Sequence, residues 1–368
     1  MKTRQYISRH IFNLLALASI LFLFGCEHED FSVSQPNEQI RPAGDFIKNN
    51  YDFRLFYAAL AYTGLIEELN GEGPFTVLAV GDKAFNEIGI HRPSDFTQLD
   101  RDSLRRALQY HVLVNRRLLV ADLPTNGVDV RYETWSGDQL YASIISFSPG
   151  STTPINDLYF NGSKVLRKDV PLANGVLQVI DKMMKYHKSK TVKDLLESLP
   201  QYSVYVAGLK KFGLWDELGQ DGPFTIFAPN NDAFAAQGID LETINDINTS
   251  LYEGNRLFGA YIMYGKHYFI SDRQVFAAIN NEFNFNIKLR NDEYWLAFQA
   301  TTEWPDWLLK YSITLFKPNP NNPWGDVVGM ANSSIRSRFD HLCENGLVHD
   351  LEAIVILPEQ AMKTQSTE

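Results

Sequence analysis

The spacing of hydrophobic residues near the start of the chain predicts a helix, a buried strand and a second helix. From Phe46 to Leu69 the apolar residues recur with helical spacing, and a glycine-rich break follows at residues 71–74. Phe75 to Val80 is a short apolar run of the kind that forms a buried strand. Asp82 is placed to cap the next helix, and Gly89 to end it. The pattern therefore favours a mixed α and β structure.

The next hundred residues change from helical to strand-like spacing. A further helix is expected to open at Asp102 or Ser103. Strand-like alternation then runs from Val128 to Phe147 and again from Leu158 to Lys168. The second of these runs contains Asn161-Gly162, a dipeptide that favours a tight hairpin turn. We therefore expect paired antiparallel strands in this part of the chain.

The strand and helix around residue 80 occur a second time. Residues 73–90 and 222–239 share nine of eighteen positions without a gap. Extending the same alignment back to Phe56 and Tyr205 gives fifteen identities in thirty-five positions. The period of about 150 residues exceeds the roughly 20–50 residues of solenoid repeats. In a chain of 368 residues it indicates a tandem duplication of a whole domain.

The motifs of the two copies resemble those of the fasciclin-like domain. In chain order they are residues 75–90, the Tyr110-His111 pair, residues 174–181, residues 225–234 and residues 344–352. The resemblance covers about residues 40–357, and it implies an α+β fold in which each domain is a β-sandwich or wedge flanked by short helices. It also implies adhesion or extracellular binding in place of catalysis.

The resemblance and the repeat together divide the chain. We expect a lipoprotein signal peptide (1–25), a tether (26–41), fasciclin-like domain 1 (42–186), fasciclin-like domain 2 with a Trp-rich insertion (187–358) and a C-terminal tail (359–368). The offset between the copies grows from 149 to 171 residues, so about 22 extra residues lie after Tyr261. The insertion includes Lys317–Pro323, which we predict to be a turn-rich loop without regular structure.

The N-terminus has the pattern of an export signal. Basic residues precede an apolar, charge-free run from Ile11 to Phe24, which is short for a membrane span and normal for a signal peptide. The run ends at Leu23–Cys26, which resembles the lipobox of bacterial lipoproteins, although Phe24 departs from the usual small or branched residue. We favour lipidation of Cys26. A cleaved secretory signal with a coincidental cysteine and an uncleaved anchor are the alternatives.

The residues behind Cys26 and the cysteine count refine this picture. Glu27–Asp30 resemble an acidic signal for display on the outer face of the outer membrane. If Cys26 carries lipid, Cys343 has no partner for a disulfide, so we interpret Cys343 as a small buried hydrophobic residue. We therefore expect an exported protein of the cell envelope, held at the outer membrane by an N-terminal lipid.

Each candidate site has a functional and a structural interpretation. The resemblance associates the Tyr110-His111 pair with adhesion, but a histidine after an apolar helix usually satisfies structural hydrogen bonds, which we favour. The second copy has Tyr261-Ile262 at the matching place and lacks the histidine. Four tryptophans of the insertion could stack on sugar rings, although packing is the interpretation we favour. They are Trp295, Trp304, Trp307 and Trp324.

The remaining sequence features argue against catalysis and nucleic-acid binding. Residues 230–232 (Asn-Asn-Asp) could suggest a metal site, but we interpret them as a helix cap. We find no catalytic motif of the common hydrolase, metalloprotease or nucleotide-binding types, and we expect no metal and no cofactor. The net charge of −10 without basic runs gives no support for a nucleic-acid partner.

We therefore expect a non-catalytic, surface-tethered lipoprotein that acts in adhesion or extracellular binding. Its partners would be the membrane, through the lipid, and an extracellular protein or glycan. One alternative is a glycan-binding accessory protein of an outer-membrane uptake system. The other is a structural or assembly subunit of an envelope complex.

Overall fold

A computed structural model describes residues 40–147, 155–280, 286–288, 294–303 and 308–363. From Arg41 onward the described residues form one compact unit. The predicted lipidation site Cys26 and the tryptophans Trp304 and Trp307 lie outside the described residues.

The first copy begins with helices and continues into strands. Its elements are α1 (Ala43–Lys48), α2 (Arg54–Thr63), α3 (Leu65–Glu68), β1 (Phe75–Val80), α4 (Asp82–Glu87), α5 (Arg101–Gln109), β2 (Val112–Leu113), β3 (Val130–Glu133), β4 (Gln139–Phe147), β5 (Ile155–Phe160), β6 (Ser163–Leu172), β7 (Gly175–Ile180) and β8 (Lys185–His187).

The second copy repeats most of this order and adds a helix at Asp272–Asn280. Its elements are α6 (Val192–Ser198), α7 (Ser203–Lys211), β9 (Phe224–Pro229), α8 (Asn231–Ala235), α9 (Leu241–Asp246), α10 (Gly254–Leu257), β10 (Ile262–Tyr264), α11 (Asp272–Asn280), β11 (Asn286–Lys288), β12 (Trp295–Glu303), β13 (Leu308–Asn319), β14 (Asn322–Ser333), β15 (His341–Cys343) and β16 (Gly346–Leu351).

The sheets show how far the copies agree. In the first copy a seven-stranded sheet has the order β2-β1-β7-β6-β5-β4-β3, with β1 and β7 parallel. In the second copy a five-stranded sheet has the order β10-β9-β16-β15-β8, and a four-stranded sheet has the order β11-β12-β13-β14. Strand β8 pairs in parallel with β15, so the end of the first copy joins the sheet of the second. The fold is thus α+β, with sheets flanked by short helices.

Each copy builds its own core, and smaller clusters join the two. The first core contains the fully buried Phe53, Phe56, Phe85, Phe96 and Phe160, and the second contains Tyr205, Phe227, Phe234, Phe258 and Tyr261. Two clusters then bring together residues of both copies. One is Ile145, Tyr159 and Val275, and the other is Phe269, Leu342 and Leu347 against Tyr141 and Tyr186.

Helix boundaries in the first copy differ from the sequence-based expectation. The long helical pattern is divided at Gly64, whose φ of 77° is a left-handed conformation that glycine adopts without a steric penalty. Asp82 does not cap its helix. Its carboxylate accepts the N–H of Leu55 at 2.8 Å. Asp100 caps α5 by accepting the N–H of Ser103 at 2.8 Å, so the helix starts at Arg101.

The prediction of an irregular loop at Lys317–Pro323 is wrong, because β13 and β14 run through most of this segment. Asn319 pairs with Asn322, which leaves a two-residue turn between the strands. Pro318 falls where the strand register shifts, between the paired positions Lys317 and Asn319. A bulge is one of the few places in a sheet that tolerates a residue without an N–H group.

Candidate binding surfaces

The ring of His111 lies inside the first copy, at the end of α5. The side chain is fully buried. Its Nδ1 donates to the carbonyl of Ala107 at 2.7 Å, and its Nε2 accepts the N–H of Met184 at 3.0 Å. Burial lowers the pKa of His111 to about 4, so the ring is neutral at neutral pH. Both ring nitrogens are therefore engaged within the fold.

Tyr110 is also buried and hydrogen-bonded. Its hydroxyl donates to the carbonyl of Gln139 at 2.8 Å and accepts from the amide of Asn161 at 2.6 Å. Its ring stacks on Tyr186 with the centroids 5.3 Å apart. These contacts tie the end of α5 to β4 and to the hairpin between β5 and β6.

The counterpart of His111 in the second copy is Tyr261, and the sequence alignment of Tyr261 with Tyr110 is wrong by one residue. Strand pairing places Ile262 against β9 as Val112 is placed against β1. The residue before Ile262 therefore occupies the position of His111. Each copy has a tyrosine near this point, so a match by residue type paired Tyr261 with Tyr110.

Tyr261 makes the hydrogen bond that His111 makes in the first copy. Its hydroxyl accepts the N–H of Val355 at 3.0 Å, and Val355 follows Met184 by the same 171 residues that separate the closing motifs. Both acceptors are fully buried. Both copies thus keep a buried backbone N–H that bonds to a side-chain acceptor, but the acceptor is a different residue in each copy.

Gln178 on β7 and His349 on β16 form a second pair of this kind. The Gln178 amide donates to a carbonyl after β2 at 3.1 Å and accepts the N–H of Asp169 at 2.9 Å. His349 donates to a carbonyl after β10 at 2.9 Å and accepts the N–H of Asp340 at 3.0 Å. The two side chains therefore make equivalent hydrogen bonds in the two copies.

A buried ion pair joins the two copies. Lys182 of the first copy binds Asp340 of the second, and their side chains are 9% and 1% exposed. Asp340 also accepts the N–H of Ile270 at 2.8 Å and lies 3.6 Å from His349. Burial acts to raise the pKa of Asp340, but the Lys182 ammonium and the hydrogen bonds to the carboxylate together hold that pKa below its usual value. Asp340 is therefore ionised and paired.

Arg336 forms a second ionic link between the copies. Its guanidinium binds Asp181 and, at 3.2 Å, Glu87, both of the first copy. The Arg336 side chain is almost completely buried. A planar guanidinium with several fixed donors can satisfy two carboxylates at once, which suits this position.

Strand β8 adds polar contacts across the same junction. Lys185 donates to the carbonyls of Ser337 and Phe339 at 2.5 and 2.8 Å, and burial lowers its pKa to about 7. The rings of His187 and His341 stack and share a hydrogen bond of 3.0 Å. Burial lowers the pKa of both rings, that of His187 to about 4, so the pair is neutral at neutral pH.

Helix α11 of the second copy docks on β4 and β5 of the first. Asp272 accepts the hydroxyl of Ser143 at 2.6 Å, and Gln274 accepts the hydroxyl of Tyr159 at 2.5 Å. Burial raises the pKa of Asp272 to about 7. The copies are thus joined by hydrogen bonds, ion pairs and apolar contacts, which favours one rigid two-domain body.

Only part of the predicted tryptophan cluster falls within the described residues. Trp295 begins β12 and its side chain is 40% exposed. It lies opposite Phe316 of β13, which in turn lies opposite Val327 of β14. The backbone of Trp324 belongs to β14.

A groove of about 370 Å³ lies beside Trp295. Its other lining residues are Phe316, Pro318, Asn319, Pro320, Asn322, Pro323 and Gly325, all from the hairpin of β13 and β14. An exposed indole next to proline rings is the kind of surface that stacks on a sugar ring. The amides of Asn319 and Asn322 are hydrogen-bonded within the hairpin.

A larger cleft of about 680 Å³ lies on the first copy. Residues 51–54, 81–84, 164–167 and 179–181 line it, together with Arg336 of the second copy. This surface has no signature in the sequence, because its segments are far apart in the chain and none carries a recognisable motif.

The remaining sequence-based sites can be placed only in part. Cys343 is buried, and burial raises the pKa of its thiol to about 12, which suits an inert side chain. Asn230 caps α8 by accepting the N–H of Ala233 at 2.9 Å. In the described part of the chain no group of three or more histidine, cysteine or acidic residues is placed to hold a metal ion. None of the described helices has both the length and the apolar character to span a membrane.

Comparison with known proteins identifies the family. The model of the Fasciclin domain matches residues 51–186 and 200–295. Human periostin is 25% identical over 200 residues, which cover 54% of this chain and 22% of periostin. Pig transforming growth factor-beta-induced protein ig-h3 is 27% identical over 180 residues (49% and 24%), and rat stabilin-2 is 28% identical over 206 residues (52% and 13%).

The chain thus spans less than a quarter of the length of each of these relatives. Among solved structures, the FAS1 domain pair of the insect cell adhesion molecule Fasciclin I aligns with a TM-score of 0.38 at 19% identity, covering 84% of this chain and 98% of that chain. Because the family model matches two segments that together exceed half of the chain, this protein belongs to the Fasciclin domain family.

Proposed function

We propose that this protein is a non-catalytic, surface-tethered lipoprotein that acts in adhesion or extracellular binding. Fasciclin domains occur in cell-adhesion and extracellular matrix proteins, which supports this role. In the proposal, a lipid on Cys26 anchors the chain at the outer membrane. The following residues then hold the two domains away from the membrane surface.

The observation that carries the proposal is the burial of polar side chains that could otherwise take part in catalysis. His111, His349 and Asp340 are buried, and each is hydrogen-bonded inside the protein. Groups in such positions fix the fold and do not meet a substrate, which supports binding through exposed surfaces. It also supports a structural role for the Tyr110-His111 pair in place of direct contact with a ligand.

Lipidation is tested by changing Cys26→Ser in the full chain and separating membrane from soluble fractions. We expect wild-type protein in the membrane fraction and the variant in the soluble or secreted fraction. Cys343→Ala is the matched control, since it removes the other cysteine and should leave the protein membrane-bound. A Cys26→Ser variant that stays in the membrane would overturn the lipid anchor.

Glycan binding is the second candidate, and the groove beside Trp295 favours it. Its test is a glycan array probed with the full chain, with Trp295→Thr and with Met330→Thr. Met330 is an exposed residue on β14 of the same sheet, outside the groove, and serves as the control. Sugar binding that Trp295→Thr abolishes and Met330→Thr retains would support this candidate. Equal binding by all three proteins would contradict it.

A further inference from the structure

The large cleft on the first copy, here called the cationic cleft, has an unusual distribution of charge. Its carboxylates Asp82 and Asp181 are only 18% and 16% exposed. By contrast, the side chains of Arg54 and Arg167 are 61% and 50% exposed. The carboxylates are thus engaged by the fold, while the cations stand at the rim. Asp52 is the one exposed acid that lines the described part of the cleft, and it forms a solvent-exposed ion pair with Arg167 at 3.6 Å.

The cations at the rim of the cleft can still bind a ligand carboxylate. Arg54 uses its Nε to bond Asp82 at 3.0 Å, and its terminal amino groups bond no acceptor among the described residues. Lys83 is exposed, and no carboxylate of the described chain pairs with it. Lys164 is bonded to Asp157, outside the cleft, at 2.9 Å. A ligand carboxylate could therefore bind at the rim without displacing a buried ion pair.

Aromatic rings hold the two arginines in place. The guanidinium of Arg54 lies 4.7 Å from the ring centroid of Tyr51, and that of Arg167 lies 5.9 Å from that of Phe53. Such contacts limit the rotamers of long side chains before a ligand arrives, which lowers the entropy lost on binding.

The cationic cleft also has apolar lining residues. Val179 and Ile180 of β7 line it but are almost completely buried, whereas Leu166 of β6 is 61% exposed. An exposed leucine in a cleft favours a ligand with an apolar side chain of its own. An acidic polysaccharide would satisfy the cations but would leave this leucine without an apolar contact.

We propose that the cationic cleft binds an acidic peptide segment of an extracellular partner, with an apolar side chain in the cleft and carboxylates on the rim cations. This inference rests on the proposed binding role and names the chemistry of one partner. The chain has a net charge of −10, so an acidic partner would be repelled by most of the surface and drawn to this rim.

The second copy also contributes to the cationic cleft. Arg336 lines it, held by Asp181 and Glu87 of the first copy. The cleft is thus complete only when the two copies are docked. A binding surface that lies mostly on the first copy therefore depends on the second.

The test measures fluorescence anisotropy of a labelled peptide, Asp-Glu-Asp-Leu-Glu-Asp, with the purified full chain at low salt. We expect saturable binding that weakens as salt is added. The double variant Lys83→Glu with Arg167→Glu should bind at least about tenfold more weakly, because two attractions become repulsions. Leu166→Ser should bind about threefold more weakly, since it removes one exposed apolar contact.

Arg131→Glu is the matched control. Arg131 is 55% exposed on β3, outside the cleft, so this variant should bind the peptide within about twofold of wild type. Each variant must melt at the wild-type temperature. No saturation up to about 1 mM peptide, or equal losses in Arg131→Glu and the double variant, would overturn the proposal.

Heparin as a second probe separates the ligand classes. Heparin binding that depends on Lys83 and Arg167, together with no peptide binding, would assign the cleft to acidic polysaccharides and overturn the peptide proposal. If the peptide fails while cells carrying the protein still adhere, the inference falls and the proposed function stands.

Discussion

The Lys182–Asp340 pair allows a quantitative test of how the two copies are joined. Both side chains are removed from water, and they belong to different copies. Asp340→Asn leaves the Lys182 ammonium buried without a counter-charge, and Lys182→Met leaves the carboxylate in the same situation. Breaking a buried pair from one side costs roughly 3–5 kcal/mol.

Removing both charges together should cost much less than the sum of the single changes. Asparagine can still accept the N–H of Ile270, and methionine fills most of the lysine volume. Replacement of a whole buried pair is often close to neutral, so the double change should cost no more than one single change, and we expect a coupling energy of at least about 3 kcal/mol. The assay is equilibrium unfolding of the full chain in urea, followed by circular dichroism and tryptophan fluorescence.

The exposed Arg131–Asp129 pair is the control, with an N–O distance of 3.0 Å. Its double-mutant cycle, with Arg131→Met and Asp129→Asn, should give a coupling of less than about 1 kcal/mol. If Lys182 and Asp340 couple no more strongly than this exposed pair, the reasoning about the buried link between the copies is refuted.

Three further predictions concern the buried hydrogen bonds, each measured by urea unfolding. Burial lowers the pKa of His111 from an ordinary 6.5 to about 4. The contribution of the neutral ring to the free energy of unfolding is therefore present above pH 6.5 and is lost as the pH falls toward 4. The destabilisation caused by His111→Ala should therefore be about 2 kcal/mol smaller at pH 5 than at pH 7; a pH-independent difference would contradict the neutral ring. Tyr261→Phe leaves the N–H of Val355 without its acceptor and should cost roughly 1–3 kcal/mol; an unchanged stability would refute this role. His349→Gln should cost at least about 1 kcal/mol less than His349→Ala, because Gln178 already makes the equivalent bonds; equal costs would count against the equivalence.

Some features that depend on local sequence were predicted correctly. Asn161 and Gly162 have φ values of 45° and 75°, the left-handed conformations that an Asn-Gly hairpin turn requires. The duplication was visible from identities around a buried strand, where packing restricts residue choice. The same reasoning identified Asn230 as a helix cap.

The equivalence of His111 with Tyr261 could not be predicted from residue types. The two copies share a buried acceptor for one backbone N–H, and an imidazole nitrogen and a phenol oxygen can both fill that position. Gln178 and His349 show the same exchange. A sequence comparison by identity cannot detect a hydrogen bond that is kept while its side chain changes.

The junction between the copies was also hidden in the sequence. Lys182 and Asp340 are 158 positions apart, and charged residues are normally assigned to the surface. Their burial follows from the docking of two folded domains, in which β8 enters the sheet of the second copy. The cationic cleft was missed for the same reason, since tertiary contacts bring its segments together.

Whole-cell adhesion tests the central claim most directly. Cells producing the full chain, cells producing Cys26→Ser and cells without the protein would be applied to surfaces coated with extracellular matrix extract or with polysaccharides. Bound cells would be counted after washing. The account predicts that wild-type cells adhere to at least one coating several-fold better than both other strains, and that external protease removes this adhesion. Equal adhesion by all three strains on every coating, with the wild-type protein folded and present at the surface, would contradict a tethered binding protein.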